Sequence, residues 1–174
     1  MPPHQQQAFS LHELLVTLLL IGILMGIALP SFSAYIRHNQ QAVLVNQLIT
    51  ILSHARTAAI SGPSLITVCS GAAQCENGRF WTQQILTFRD ANGDGKLDAE
   101  ETVLRVDTLP GNAAWAWSNF RVRPYISFKA NGTTHSLNGT FTLCENNDPI
   151  DGVVISITGR ARHAKPHELK DCVQ

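Results

Sequence analysis

The 174-residue sequence predicts an α+β protein, with one long N-terminal helix and an antiparallel β-sheet head. Three observations predict it. Residues 8–30, AFSLHELLVTLLLIGILMGIALP, form an apolar run holding a single carboxylate, Glu13. After Pro30 apolar residues recur at threes and fours. Beyond Pro63 the period drops to two, in short runs separated by turn chemistry.

The apolar run is long enough to span a bilayer. From Phe9 to Leu29 a helix is about 31 Å long at roughly 1.5 Å per residue, against a hydrocarbon core of about 30 Å. Glu13 costs roughly 2.5–3.5 kcal/mol in mid-membrane, and the Leu, Ile and Val residues between Leu14 and Leu29 return about 3–7 kcal/mol. The segment therefore inserts, or is buried against its own copies. No small-residue cleavage site follows it, and Pro30-Ser31-Phe32 leads into more helix-like sequence, which disfavours an ordinary secretory signal peptide.

The second half of the helix is amphipathic. Ile36, Leu44, Leu48, Leu52, Ala55 and Ala59 make the apolar stripe, with Arg37, Asn39, Gln40, Asn46, Gln47, Ser53 and Arg56 between them. Ser61-Gly62-Pro63 ends the pattern, so a continuous helix is expected from about Ser10 to Ile60.

Six strand-like runs follow: residues 65–69, 79–88, 102–109, 121–129, 140–145 and 152–158. Trp115 and Trp117 alternate and belong to a short further strand or a packed loop. Asn131-Gly132 and Asn138-Gly139 read as hairpin turns rather than glycan acceptors. One antiparallel sheet packed on the amphipathic half of the helix accounts for the pattern.

Bulk properties narrow the function. Thirteen Lys and Arg balance thirteen Asp and Glu, so no global field draws the chain to nucleic acid, and any anion-binding surface is local. Acidic residues gather between Asp90 and Asp107, basic ones at Arg121, Arg123, Lys129, Arg160, Arg162, Lys165 and Lys170. The seven histidines are scattered, and no GxSxG, HExxH or phosphate-loop motif is present, so no catalytic function and no cofactor is expected.

Four cysteines lie beyond the apolar run and allow three pairings. Cys69 with Cys75 and Cys144 with Cys172 are favoured; the second closes a loop of about 29 residues and stabilises by roughly 3.5 kcal/mol in the chain-entropy model. A four-cysteine zinc site lacks its CxxC spacing. DANGDGKLDAEE, residues 90–101, matches the spacing of a calcium loop, but strand-like flanks favour a polar hairpin connection, and no metal is assigned.

ITGRARHAKPHELK, residues 157–170, is the segment closest to a binding motif. Extended, Arg160 and Arg162 face the same way about 6.6 Å apart, at roughly 3.3 Å per residue, close to the phosphate spacing along one DNA strand. Gly159 lets the backbone turn, while Lys165 and Lys170 add donors, with His163 and His167 beside them. The alternative is a solvated strand end whose arginines cover apolar neighbours.

Ala8, Phe9, Ser10, Leu11, Glu13, Leu14 and Pro30 resemble the signal of type IV prepilins. The resemblance implies cleavage by a prepilin peptidase between Ala8 and Phe9, where the family usually has Gly before the cut. It also implies methylation of the Phe9 amine, and a Glu13 that neutralises the N-terminal amine of a neighbouring subunit inside a filament. The order of SHARTAAISG, LITVC, FRDANGDG and GVVISITGRAR is similar to the FimT/GspH family of minor pilins and pseudopilins, and extends over nearly the whole chain. FimT-like pilins implicated in DNA uptake carry a C-terminal GRxR element, matched by Gly159, Arg160, Ala161 and Arg162.

By this resemblance the fold is a type IV pilin fold: a leader at 1–8, a transmembrane and assembly helix at 9–36, and a periplasmic or extracellular head at 37–174. The expected function is that of a minor pilin binding double-stranded DNA without sequence preference for natural transformation. Its partners would be other pilins, prepilin peptidase, double-stranded DNA and, before assembly, the inner membrane, which it crosses once. The rival is a structural pseudopilin of type II secretion, or a priming subunit that touches no nucleic acid.

Overall fold

The computed structural model describes residues 10–110 and 114–172, and the side chains of all of these except 27–31 and 34. The expected cut and methylation at Ala8 and Phe9 lie outside the described residues. One helix, α1, runs Leu11–Ser61 and passes through Pro30. Ser10 caps it, its hydroxyl accepting the Glu13 N–H at 3.2 Å, and Glu13 sits in the first turn, where a carboxylate suits the helix dipole.

The chain divides into two compact units, Met1–Gln40 and Gln41–Gln174, with the boundary inside α1. In the first, every described side chain from Ser10 to Gly26 is exposed. A leucine-rich surface of that extent needs a cover. Tyr35–Ser61 is also long and apolar enough to cross a membrane (mean hydropathy 1.2), yet a third of its apolar stretch is buried. Val45, Leu48, Ile51, Leu52, Ala55 and Ala59 are that buried face, so from Gln41 onward α1 is a core helix of the second unit.

In the second unit the described strands are β1 Ile66–Ser70, β2 Phe80–Trp81, β3 Gln84–Arg89, β4 Thr102–Thr108, β5 Ala114–Asn119, β6 Tyr125–Phe128, β7 Gly139–Glu145, β8 Asp148–Ile155 and β9 Ala161–His163. They form two antiparallel sheets rather than the single sheet expected, one ordered β4-β3-β1-β6 and the other β2-β5-β7-β8-β9. The run 79–88 is divided between them, because Gln83 adopts a left-handed conformation (φ 59°) that ends β2 and starts β3 in the other sheet. Of the run 121–129 only β6 is strand, whereas Trp115 and Trp117 do lie in a strand, β5.

Asn131-Gly132 is a turn, closed by the Gly132 N–H on the Lys129 carbonyl (2.8 Å). Asn138-Gly139 is not. Gly139 opens β7 between Asn119 and Ile155, and a Cβ there would lie 2.2 Å from the Ser118 carbonyl oxygen, so this glycine serves close strand approach. The tight hairpin is instead Asn146-Asn147, both with positive φ (52° and 68°), joining β7 to β8.

The core lies between α1 and both sheets. Ile66, Val68, Ile126 and Phe128 of one sheet and Trp115, Phe141, Leu143 and Val153 of the other join the buried helix face in one cluster. Phe141 stacks on Trp117 (centroids 4.0 Å) and meets Trp81 edge-on (4.7 Å). The buried indoles of Trp81 and Trp117 donate to the carbonyls of Pro124 (3.0 Å) and Tyr125 (3.2 Å). Disulfides join Cys69 to Cys75 and Cys144 to Cys172.

Residues 90–101 connect β3 to β4 as a hairpin. The buried Asp90 carboxylate accepts the N–H groups of Gly93 (2.7 Å) and Gly95 (3.1 Å) and the Thr67 hydroxyl (2.6 Å). Glu101 accepts the N–H groups of Ala91 (2.8 Å) and Asp98 (3.2 Å). Among the described residues no three His, Cys, Asp or Glu side chains gather as metal ligands. The oxygens that match a calcium loop in sequence here hold the loop backbone.

Candidate nucleic-acid interface

β8 and β9 form a hairpin in which Val153 faces His163, Val154 faces Arg162 and Ile155 faces Ala161. Its loop is Ile157-Thr158-Gly159, closed by Ser156 N–H on Arg160 O (3.1 Å) and Gly159 N–H on Ser156 O (2.9 Å). This is the three-residue hairpin that needs a left-handed last residue. Gly159 supplies it (φ 76°), and a Cβ there would lie 2.1 Å from the Gly132 carbonyl oxygen. Arg56 of α1 fastens the same place: its Nε donates to Gly132 O (2.9 Å) and its Nη2 to Thr158 O (3.3 Å). The Thr134 N–H adds a bond to Ile157 O (3.0 Å).

Ala161 is half-buried against the core, and strand alternation sends Arg160 and Arg162 the other way; both are exposed. Their surroundings differ. Among the described residues the Arg160 side chain has no hydrogen-bond or ion-pair partner, its main-chain groups alone being used in the loop. Arg162 forks onto Glu168 (Nη1–Oε2 2.8 Å, Nη2–Oε1 2.5 Å). Glu168 lies at the end of a 3₁₀ turn, Pro166–Glu168, and also accepts the Lys165 N–H (2.7 Å). The Arg162 hydrogen bond first, and the Lys165 N–H second, hold the Glu168 carboxyl down at about 2.

Beyond Glu168 the tail crosses the second sheet. A Cβ on Gly152 would touch Leu169, the Lys170 N–H meets the Thr142 hydroxyl (3.0 Å), and Cys172 is joined to Cys144 of β7. Arg79 holds the far end through Asp171 O (3.0 Å). The structure thus brings Gly159, Arg160 and Arg162 into one hairpin, with Lys165 adjoining through Glu168. Lys170 is exposed over β7, further along the strap. From Gly159 to Cys172 four Lys and Arg stand against two carboxylates, Glu168 and Asp171.

Glu13 is exposed at the start of α1, with no ion-pair partner among the described residues. Two residues here escaped the sequence reading. Glu168 is six positions from Arg162 and reaches it only because Pro166 starts a turn; Arg56 looked like one polar position among many on the helix.

The family described as type II transport protein GspH matches residues 44–159, and the prokaryotic N-terminal methylation motif matches residues 3–29. No curated protein matches the chain in sequence. Two crystal forms of the type IV minor pilin FimU of Pseudomonas aeruginosa (strain PAO1) are similar in fold. The P65 form is 20 % identical with a TM-score of 0.59, over 76 % of this chain and 99 % of that one. The P21 form is 20 % identical with a TM-score of 0.60, over 80 % and 99 %. The architecture is the α+β type IV pilin fold.

Proposed function

The chain belongs to the GspH family of minor pilins and pseudopilins, and from that premise we propose that it captures double-stranded DNA through its C-terminal arginine hairpin. Membership and the methylation motif make it a structural subunit. Its partners are other pilins and a prepilin peptidase, and its apolar helix is the membrane anchor and assembly element. In the proposal residues 1–8 are removed, residues 9–36 assemble and residues 37–174 face outward on the periplasmic side, with Glu13 meeting the methylated Phe9 amine of a neighbour.

The observation that carries the DNA reading is local: an exposed Arg160 whose side chain has no partner among the described residues, presented at the end of a hairpin fixed by Gly159 and Arg56. It does not rest on the family match, which ends at residue 159. Contacts of this kind go to phosphates, so binding is sequence-tolerant and salt-sensitive, and several subunits in one filament supply avidity. A gel shift with the full chain in detergent tests it. Wild type should retard duplex DNA at low salt, and Arg160→Ala with Arg162→Ala should not; equal shifts would remove the site, and no shift by wild type would remove the activity.

A second reading has its own support. The Arg162–Glu168 fork is what a purely structural strand end would show, and it suits a pseudopilin of type II secretion that touches no nucleic acid.

A further inference from the structure

Between β5 and β6 the chain makes a short loop, Asn119-Phe120-Arg121-Val122-Arg123-Pro124, whose exposure the core does not explain. Phe120 is 83 % exposed and Val122 88 %. Large apolar side chains held that far into water are uncommon on a head whose other described Phe, Trp and Tyr side chains are buried or half-buried. Val122 is also in the left-handed region (φ 53°), a conformation costly for a β-branched residue.

The loop is not loose. The Asn119 side chain accepts the N–H groups of Arg121 (3.2 Å) and Arg123 (3.1 Å) and donates to Arg123 O (2.7 Å), while Phe120 N–H reaches Asn138 O (3.3 Å). One side chain therefore fixes a strained turn in which an aromatic and a branched apolar group alternate with two arginines. Neither guanidinium is paired with a carboxylate among the described residues. Behind the loop lies a cleft of about 250 Å³ whose lining includes Arg79, Trp117, Val122 and Arg123.

The basic character continues toward the arginine hairpin. Desolvation first, then Lys129 and then Arg121, hold the His135 imidazole below its ordinary pKa. Lys129 and His135 lie on the segment whose Thr134 N–H bonds Ile157 and whose Gly132 carbonyl abuts Gly159. Lys129 and His135 therefore adjoin the arginine hairpin, and Arg121 is near enough to His135 to act on it electrostatically.

We propose that the Asn119–Pro124 loop is a second nucleic-acid contact, in which Phe120 stacks on an unpaired base while Arg121 and Arg123 hold its flanking phosphates. The chain then prefers DNA ends and single-stranded stretches over an uninterrupted duplex. Arginine beside an exposed aromatic is the pairing that single strands require: phosphate charge is neutralised and a base face is covered. The inference rests on the DNA-binding reading and adds to it a ligand preference the hairpin alone does not give.

The test uses the full chain in detergent and two fluorescein-labelled probes, a blunt duplex and the same duplex with a single-stranded overhang. Wild type should bind the overhang probe about tenfold tighter, the scale of one stacked base. Phe120→Ala should abolish the preference and leave blunt-duplex affinity unchanged; Arg121→Ala with Arg123→Ala should weaken both and lower the salt slope by about two. Equal binding of both probes by wild type, or a preference that survives Phe120→Ala, overturns the inference and leaves the hairpin reading standing. So does a Phe120→Ala change confined to association between copies of the chain, which makes the loop a subunit contact. Failure of wild type to bind either probe overturns the DNA reading and this one with it.

Discussion

Arg162 and Glu168 meet fork to fork, with both guanidinium Nη atoms on both carboxylate oxygens at 2.8 and 2.5 Å. A partner six positions on in a strand-turn segment thus converts one of the two motif arginines from an open cation into half of a neutral pair. Arg160, two positions away, has no carboxylate partner among the described residues. The GRAR element is therefore electrostatically asymmetric, which its sequence does not reveal.

That asymmetry predicts opposite effects for two single substitutions. Arg160→Ala should lower DNA affinity and reduce the log–log salt slope by about one. Glu168→Gln should raise affinity at low salt, roughly threefold to tenfold, because it removes a negative charge and releases Arg162 toward phosphate. Fluorescence anisotropy on the same duplex measures both; a Glu168→Gln protein that binds more weakly would show that the fork presents Arg162 rather than masks it.

Acid should open the fork. The Glu168 carboxyl sits at about 2, below its unfolded value near 4.3, so its stabilising contribution is complete above that value and is lost as pH falls toward 2. Wild type should lose melting temperature between about pH 4.5 and pH 2 more steeply than Glu168→Gln does. Parallel curves would mean that the pair contributes nothing to folding, as many exposed pairs do.

Gly159→Ala places a Cβ against the Gly132 carbonyl at a left-handed position. The expected cost is about 1–3 kcal/mol, read from denaturant unfolding, with a fall in DNA affinity as the Arg160 loop shifts. Unchanged stability would mean the two loops separate without cost.

Removing the tail disulfide by Cys144→Ala with Cys172→Ala should destabilise by about 3.5 kcal/mol in the chain-entropy model. The segment after Glu168 should become open to proteolysis at Lys170 while α1 and the sheets stay protected. Equal protease resistance would assign the strap to the Lys170–Thr142 and Arg79–Asp171 bonds instead.

The helix was readable because its two signals are local and long: an unbroken apolar run, then a stripe from Leu44 to Ala59, stopped by Gly62-Pro63. The Asp90–Glu101 hairpin was readable because its turn residues sit between two period-two runs. Where the reading failed, tertiary structure overrode a local sign. Nothing in RFWTQQILTF marks Gln83 as the break, since no Gly, Asn or Pro stands there. Asn138-Gly139 carries the turn sign, yet Gly139 is spent on the approach of β5. β9 is only Ala161–His163, too short for a period to declare itself. Of the candidate site, Gly159 and Arg160 were legible as a motif. The Glu168 partner of Arg162 and the exposure of Phe120 were not, because both depend on how separate segments come together.

In the proposed function the β8–β9 hairpin holds DNA by its phosphates. The most direct measurement is the DNA affinity of the full chain in detergent across a series of salt concentrations, beside the Arg160→Ala, Arg162→Ala double variant. Wild type should lose affinity linearly with salt on a log–log plot, and the variant should show a slope shallower by about one, the share of the open Arg160. Identical slopes and affinities for the two proteins would contradict it.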